Sequence, residues 1–229
     1  MTPAELGAAL AAVAGGALAP RDVPLSVRGP GVYATSLALR LRLDPQVTAE
    51  RVRALPGVER VEGDGMLVIA VDPARVVSGV LAEGDAYAAA EVPQAPWKDG
   101  PRVFGDPGFE VRYAYARAAW VGRWAEDLHV EEGPPAPETA QERRFTEVVA
   151  DLPCRARQAE REQDPRPFAL CLERLAAAYH DVHERCPALP KGDEKPGAVH
   201  AARVTLARAA RIALGNGLKT IGETPRERI

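Results

Sequence analysis

The chain has 229 residues, of which 46% are hydrophobic and 27% are charged, and its formal net charge is −3 at pH 7. This hydrophobic content is enough for a folded core and excludes a chain that is disordered throughout. The acidic balance excludes a uniformly basic nucleic-acid coat, so any nucleic-acid surface must come from local clusters of arginine.

Residues 1–82 predict a small α+β domain. Thr2 and Glu5 form a capping box at the start of a helix that is expected to run to about Ala14. Two β-prone runs flank an Asp-Gly turn, which is a strong signal for a β-hairpin. The expected elements after the first helix are a strand at 23–27, a helix carrying Leu37 and Leu41, a helix at 48–55, hairpin strands at 57–62 and 66–71, and a helix at 73–81.

Residues 83–108 predict a linker, because proline and glycine recur there without a sustained hydrophobic period. Trp97 is its one expected anchor. Residues 109–229 predict an all-α bundle. Its helices are expected at 110–126, 139–152, 154–162, 167–186 and 199–214, with Asn216-Gly217 ending the last one. The predicted fold class is therefore multidomain α+β, with a small N-terminal α+β domain followed by an all-α helix bundle.

The cysteines and the apolar segments together predict a location in the cytoplasm. Three cysteines without CxxC spacing predict free thiols in a reducing cytosol. The run Ala17–Ala19 imitates a signal-peptide cleavage site, but no basic segment precedes it and Glu5 interrupts the apolar stretch. No apolar stretch approaches the roughly 20 residues that span a bilayer. We therefore expect a cytoplasmic protein with no membrane partner.

The first long helix of the bundle combines three arginines with four aromatic rings. Arginines neutralise phosphates and exposed rings stack on unpaired bases, so this pattern suits RNA. Tyr113, Arg117, Trp120 and Trp124 fall at i, i+4, i+7 and i+11, on one helical face. A stripe at this spacing is also typical of core packing, above all for the two tryptophans.

The last helix carries a second basic cluster with Arg203, Arg208 and Arg211, and the basic residues of the tail that follows it are Lys219, Arg226 and Arg228. Such a cluster could track a phosphate backbone. It is equally typical of a solvated helix face.

Metal and catalytic signatures are weak or missing. His180, His183 and Cys186 form H-x2-H-x2-C, but positions i and i+6 point roughly 240° apart around a helix, so structural roles are favoured over a metal site. The sequence contains no GxSxG, GxxxxGK[ST], GxGxxG after a strand, or HExxH. We expect no catalytic residues, no cofactor and no metal.

Several short runs in the second domain share the order of a known domain. They are GDPG at 105–108, VRYAYAR at 111–117, CPAL at 186–189, RVTL at 203–206, GLKTIG at 217–222 and PRERI at 225–229. Together they resemble the anticodon-binding (DALR) domain of arginyl-tRNA synthetases, including its G-D-x-G…V-Q-Y-A-H-A-R entry and its closing tail. The first domain is similar to the additional N-terminal domain of the same enzymes, at GVYAT (31–35) and GVERVE (57–62).

The resemblance implies a protein that binds tRNA, with tRNA-Arg expected, and does not charge it. In the family a nucleotide-binding catalytic domain lies between the two domains, whereas here about 25 residues stand in its place. The family pattern places the loop at 105–108, Tyr113 and Ile229 near the anticodon loop, and Tyr33 facing the tRNA elbow. Arg112, Arg117, Arg208 and Arg211 are then expected to contact phosphates.

Three functions remain open at this point. A non-catalytic tRNA binder would present or sequester tRNA. One version of this role is to supply a partner enzyme that uses aminoacyl-tRNA. The same face could instead bind a protein, as an interaction module or as an accessory subunit of a synthetase. Residual aminoacylation is disfavoured, because neither ATP-binding motif of the synthetases is present in the chain.

Overall fold

Eight α-helices and four β-strands make up the chain, whose computed structural model describes residues 1–229. The first part is a small α/β region and the second is entirely helical, which confirms the predicted fold class. The elements are α1 (Pro3–Val13), β1 (Ser26–Gly29), β2 (Val32–Thr35), α2 (Leu37–Leu41), α3 (Pro45–Arg53), β3 (Val58–Glu62), β4 (Leu67–Val71), α4 (Pro73–Glu83), α5 (Pro107–Asp127), α6 (Ala140–Glu162), α7 (Arg166–Arg185) and α8 (Ala198–Thr220).

The sheet is antiparallel throughout, in the order β1-β2-β4-β3. The predicted hairpin forms its β3–β4 edge. The sequence interpretation missed β2, which pairs with both β1 and β4 through only four residues. Gly31 enters this strand with φ of +68°, and a Cβ there would lie 2.2 Å from the carbonyl oxygen of Val71. Glycine is therefore required for the close approach of these two backbones.

Helix α6 is continuous, which corrects the prediction of two helices separated before Cys154. Pro153 lies inside it and is buried. A proline in a helix removes the hydrogen bond to the carbonyl four residues earlier, which here belongs to Val149. The hydroxyl of Tyr87 donates a hydrogen bond to that carbonyl. A side chain from outside the helix thus replaces the missing donor and allows the helix to continue.

Helix α8 also exceeds its predicted length, because it does not end at Asn216-Gly217. The Asn216 amide nitrogen donates to the carbonyl oxygens of Gly84, at 2.8 Å, and Tyr87, at 3.1 Å. At Gly217, a Cβ would lie 2.2 Å from the side chain of Leu172. Both residues serve helix packing here, so tertiary contacts override their usual tendency to end a helix.

Residues 87–106, which we call the connecting segment, contain no helix or strand but pack closely on the helices. Tyr87 is fully buried, and the backbone N–H of Ala95 donates to the carbonyl oxygen of Ile221 at 3.1 Å. One core of 49 buried residues includes side chains from both parts of the chain. The first part packs directly on the bundle, mainly through contacts of α4 with α8 and of β1 with α6.

None of the helices combines the length and the apolar character that crossing a bilayer requires.

Candidate nucleic-acid interface

The start of α5 is fixed by local chemistry that the sequence encodes. The Asp106 carboxylate caps the helix by accepting a hydrogen bond from the backbone N–H of Phe109 at 2.7 Å, and Pro107 occupies the first helical position. Gly108 lets the connecting segment approach, because a Cβ there would lie 2.6 Å from the Cβ of Trp97. These contacts hold Trp97 against the first turn of α5.

A cleft opens beside this turn, between the connecting segment, α5 and the tail that follows α8. Its volume is about 740 Å³. Four arginines and two carboxylates line it, which leaves two formal positive charges in a chain whose net charge is −3. We call it the aromatic–arginine cleft; its main residues are Trp97, Asp99, Arg102, Phe109, Arg112, Glu223, Arg226, Arg228 and Ile229.

Arg112 holds the tail to the helix bundle. Its guanidinium donates two hydrogen bonds of 2.7 Å to the two carboxylate oxygens of Glu223, and a third of 3.2 Å to the carbonyl of Trp97. The same carboxylate accepts the backbone N–H of Trp97 at 3.0 Å. The Glu223 side chain is 7% exposed, and its hydrogen bonds raise the pKa of Arg112. This two-pronged ion pair commits most of the Arg112 donors to the fold.

Arg117 lies under a cluster of aromatic rings. Its guanidinium carbon is 4.4 Å from the centre of the Tyr113 ring and 5.8 Å from that of Phe104, within the range of cation–π attraction. The Tyr113 ring stacks on Phe109 at 5.4 Å. Arg117 also donates to the Glu184 carboxylate at 3.0 Å, and its side chain is only 13% exposed. Its charge is therefore mostly satisfied inside the protein.

His180 completes this cluster as a neutral ring. Its Nδ1 lies 3.1 Å from the Arg117 guanidinium, which can only donate, and its Nε2 lies 3.0 Å from the carbonyl oxygen of Glu110, which can only accept. The proton is therefore on Nε2. Burial lowers the pKa of His180, in agreement with that state. No group of three His, Cys, Asp or Glu side chains is arranged to hold a metal ion.

The two tryptophans of the α5 stripe are not core residues. Trp124 is 48% exposed. Trp120 is half-buried and donates its indole N–H to the backbone carbonyl of Glu227 at 2.8 Å. The packing alternative, which the spacing favoured for this pair, is therefore wrong, because the tail covers Trp120 only in part and leaves Trp124 open.

The basic cluster of α8 does not line the aromatic–arginine cleft. Arg208 pairs with Glu132 at 2.8 Å, and Arg211 pairs with Glu227 at 2.6 Å. Both arginines line a different cavity, of about 640 Å³, whose three glutamates outnumber them. The same two arginines also line a second cavity, of about 360 Å³, in which Lys219 joins them and Asp85 is the one acidic side chain, so part of the positive excess seen along the sequence does form a positive surface.

Tyr33 does not face a ligand, which corrects its expected role. The side chain is fully buried, and its hydroxyl donates to the backbone carbonyl of Met1 at 2.9 Å. It belongs to the core between the sheet and α1 because its position in β2 points inward. Ile229, by contrast, lies at the aromatic–arginine cleft and is 36% exposed, so that it is accessible to a ligand.

Sequence reasoning included Arg226 and Arg228 in the basic cluster of the last helix and its tail, but it missed Arg102 and Phe104, which the cleft also leaves available. Arg102, Arg226 and Arg228 line it without any ion pair or side-chain hydrogen bond, and the Phe104 ring beside it is 56% exposed. Arg102 and Phe104 fall in the segment that was interpreted as a linker. A pair of basic and aromatic residues two positions apart was the available signal, although proline and glycine dominate the segment.

Comparison with known proteins identifies the helical part. Residues 111–229 match the model of the DALR anticodon binding domain. The arginine–tRNA ligase of Frankia alni is 36% identical over 132 residues, which are 54% of this chain and 23% of that protein. The solved arginyl-tRNA synthetase of Thermus thermophilus aligns with 70% of this chain and 32% of its own, at 21% identity and a TM-score of 0.45. The chain thus spans a quarter to a third of the length of these relatives.

Proposed function

Because this chain belongs to the DALR anticodon-binding domain family, we propose that it binds the anticodon region of a transfer RNA in the aromatic–arginine cleft. One observation carries the proposal. Arg102, Arg226 and Arg228 line the cleft with no carboxylate partner, next to the exposed ring of Phe104. Unpaired guanidinium groups contact phosphates, and an open ring stacks on an unpaired base, as single-stranded RNA loops require.

The arginines that hold the fold have a second role in this proposal. Arg112 keeps its charge inside the cleft, where Glu223 fixes its position, and Arg117 keeps its charge under the neighbouring aromatic cluster. They would attract the phosphates of the loop and shape the ring surface, with Tyr113 stacking beside a base. Arg208 and Arg211 would have to exchange a glutamate for a phosphate. We therefore assign them phosphate contacts outside the aromatic–arginine cleft only.

The RNA that we assign is tRNA-Arg, bound without being charged. The 36% identity to an arginine–tRNA ligase supports this choice of tRNA. A purely binding role is supported by the connecting segment, whose 20 residues form no domain between the two parts. The protein would then present or sequester the tRNA, for example for a partner enzyme that uses aminoacyl-tRNA.

The test measures binding of transcribed tRNA-Arg over a range of salt concentrations. We expect a steep loss of affinity with salt, and a smaller slope of log K against log [salt], by roughly 0.7–0.9 for each of Arg102→Ala, Arg226→Ala and Arg228→Ala. Phe104→Ala should weaken binding roughly 5- to 150-fold at all salt concentrations, because one stacked base contributes about 1–3 kcal/mol. Arg60→Ala, at an exposed arginine of β3, is the matched control.

Two further measurements test whether the anticodon is recognised and whether the chain can charge tRNA. A tRNA-Arg with a substituted anticodon should bind less tightly if bases are contacted, and equal affinity would refute recognition of the anticodon. Arginine-dependent exchange between ATP and pyrophosphate by this chain would refute the non-charging role.

A protein-interaction module or accessory subunit is the second candidate. It is favoured by the exposed Trp124 beside an apolar cavity of about 180 Å³ that Tyr179, Val182 and Leu189 help to line. Such a surface suits an apolar side chain of a partner. Weak dependence of partner binding on salt, with no affinity for tRNA, would favour this function over the first.

A further inference from the structure

A second basic surface lies outside the aromatic–arginine cleft, where the sheet region meets α6. The groove has a volume of about 420 Å³. One wall is formed by the segment that leads into β1 and by the start of α2, and the other by the C-terminal half of α6. Five arginines line it: Arg21, Arg40, Arg155, Arg157 and Arg161.

The charges of this groove are poorly balanced. Asp22 and Asp151 are its only acidic side chains, which leaves three formal positive charges, one more than in the aromatic–arginine cleft. The Asp151 carboxylate is already taken by Arg155, at 2.8 Å, and by Arg174, at 3.8 Å. The Arg40 guanidinium donates to the backbone carbonyl oxygen of Asp22 at 3.3 Å and does not pair with the Asp22 carboxylate.

Two arginines of α6 are the most available. Arg157 and Arg161 are four residues apart, on the same side of the helix. The one hydrogen-bond partner of the Arg157 guanidinium is the Cys154 sulfur, at 3.6 Å, which is a weak acceptor. Arg161 faces Glu162 at 3.6 Å, and both side chains are exposed to solvent, so this pair contributes little.

The groove differs from the cleft in one informative way. No aromatic residue lines it, whereas Trp97 and Phe109 line the cleft. Arginines without stacking rings contact the backbone of a nucleic acid and do not read its bases. We propose that this groove is a second RNA-binding site, which takes the phosphate backbone of the same tRNA that the cleft binds. This inference rests on the proposed function, because the occupant is the same RNA.

The two sites are close enough for one RNA molecule. The backbone N–H of Glu91 donates to the Glu160 carboxylate at 3.0 Å, next to Arg161, and the chain then runs to Trp97 at the cleft. Six residue steps span at most about 22 Å. This distance is short enough for one tRNA molecule to bridge the cleft and the groove.

The test compares double variants by the salt dependence of tRNA-Arg binding. Arg157→Ala with Arg161→Ala should reduce the slope of log K against log [salt] by roughly 1.8, because about 0.9 of a counterion is released per phosphate contact. Between 50 and 200 mM salt the variant should then lose about 12-fold less affinity than the unchanged protein. Arg143→Ala with Arg144→Ala, at the other end of α6, is the matched control with the same change of charge.

A charge-preserving variant separates binding from packing. Arg157→Lys with Arg161→Lys should restore most of the slope, because lysine also neutralises phosphate, whereas a loss caused by packing would persist. Far-UV circular dichroism checks that each variant is folded.

If the alanine pair matches the control pair while Arg102→Ala and Arg226→Ala still lower the slope, the groove proposal is wrong and the proposed function stands. If the unchanged protein binds no tRNA, both fail. An effect of the groove variants on an acidic protein alone, and none on tRNA, would also overturn the groove proposal.

Discussion

Tyr87→Phe removes the hydroxyl that satisfies the interrupted turn of α6. In the folded protein this hydroxyl donates to the carbonyl of Val149, which Pro153 deprives of its usual helical donor. Burial raises the pKa of Tyr87 well above its ordinary value, so the hydroxyl remains a donor at all working pH values. Phenylalanine keeps the ring in its fully buried position and leaves the carbonyl unpaired.

The magnitude follows from the cost of a buried unpaired carbonyl, which is about 1–3 kcal/mol. For a chain of 150–250 residues each kcal/mol lowers the melting temperature by about 2–4 °C, so a decrease of about 2–12 °C is expected. Pro153→Ala restores an N–H four residues after Val149. In that background Tyr87→Phe should cost much less, and the double-mutant cycle should give a coupling of about 1–2 kcal/mol.

Thermal and urea unfolding, followed by circular dichroism, provide the measurement. Tyr179→Phe is the control, because the Tyr179 ring is also buried but its hydroxyl makes no hydrogen bond to the protein and reaches solvent instead. That variant should unfold within about 0.5 kcal/mol of the unchanged protein. Equal costs for the two tyrosine variants, or a cost of Tyr87→Phe that Pro153→Ala does not reduce, would refute the assigned role of the Tyr87 hydroxyl.

Three further predictions concern the cleft and its surroundings. Glu223→Gln removes the carboxylate that Arg112 and the Trp97 backbone share, and should destabilise the protein by about 1–3 kcal/mol in urea unfolding. Gly108→Ala places a methyl group against the Trp97 side chain, and should cost about 1–3 kcal/mol and change the tryptophan fluorescence; an unchanged spectrum would contradict the close contact. Burial lowers the pKa of His180 below 6.5, so the folded state binds its proton less readily than the unfolded state. The contribution of this group to stability should be full above pH 6.5 and decrease below it, by at most about 1.4 kcal/mol per pH unit. The lowered pKa values of His183 and of the Met1 amino group act in the same direction, so His180→Gln should reduce the pH dependence of unfolding between pH 7.5 and 5.5 without abolishing it.

Features that depend on neighbours along the chain were predictable from the sequence. The capping box of Thr2 and Glu5 begins α1 as expected, because both of its hydrogen bonds join residues three positions apart. The Asp-Gly turn gives the β3–β4 hairpin for the same reason. The runs quoted from the helical part correctly predicted the family, since they preserve order and spacing over more than 100 residues.

Features that depend on distant partners were not predictable. Pro153 ends a helix by local rules, and only Tyr87, 66 positions earlier, reverses that outcome. Tyr33 fits a surface role by resemblance, yet β2 turns it into the core. The availability of an arginine is also decided at long range, because Arg112 meets its carboxylate 111 residues away.

This last point determines how the protein should respond to salt. An arginine that already holds a carboxylate exchanges one anion for another when phosphate binds, so it adds little to counterion release. The arginines without a strong carboxylate partner are Arg102, Arg226 and Arg228 at the cleft and Arg21, Arg40, Arg157 and Arg161 at the groove, where Arg161 has only the solvent-exposed pair with Glu162. At about 0.7–0.9 per contact, the cleft alone predicts a slope of roughly −2 to −3, and both sites together predict roughly −5 to −6. A single salt titration of the unchanged protein with tRNA therefore distinguishes one binding surface from two, and a slope steeper than about −6 would show that basic residues beyond these seven also contact the RNA.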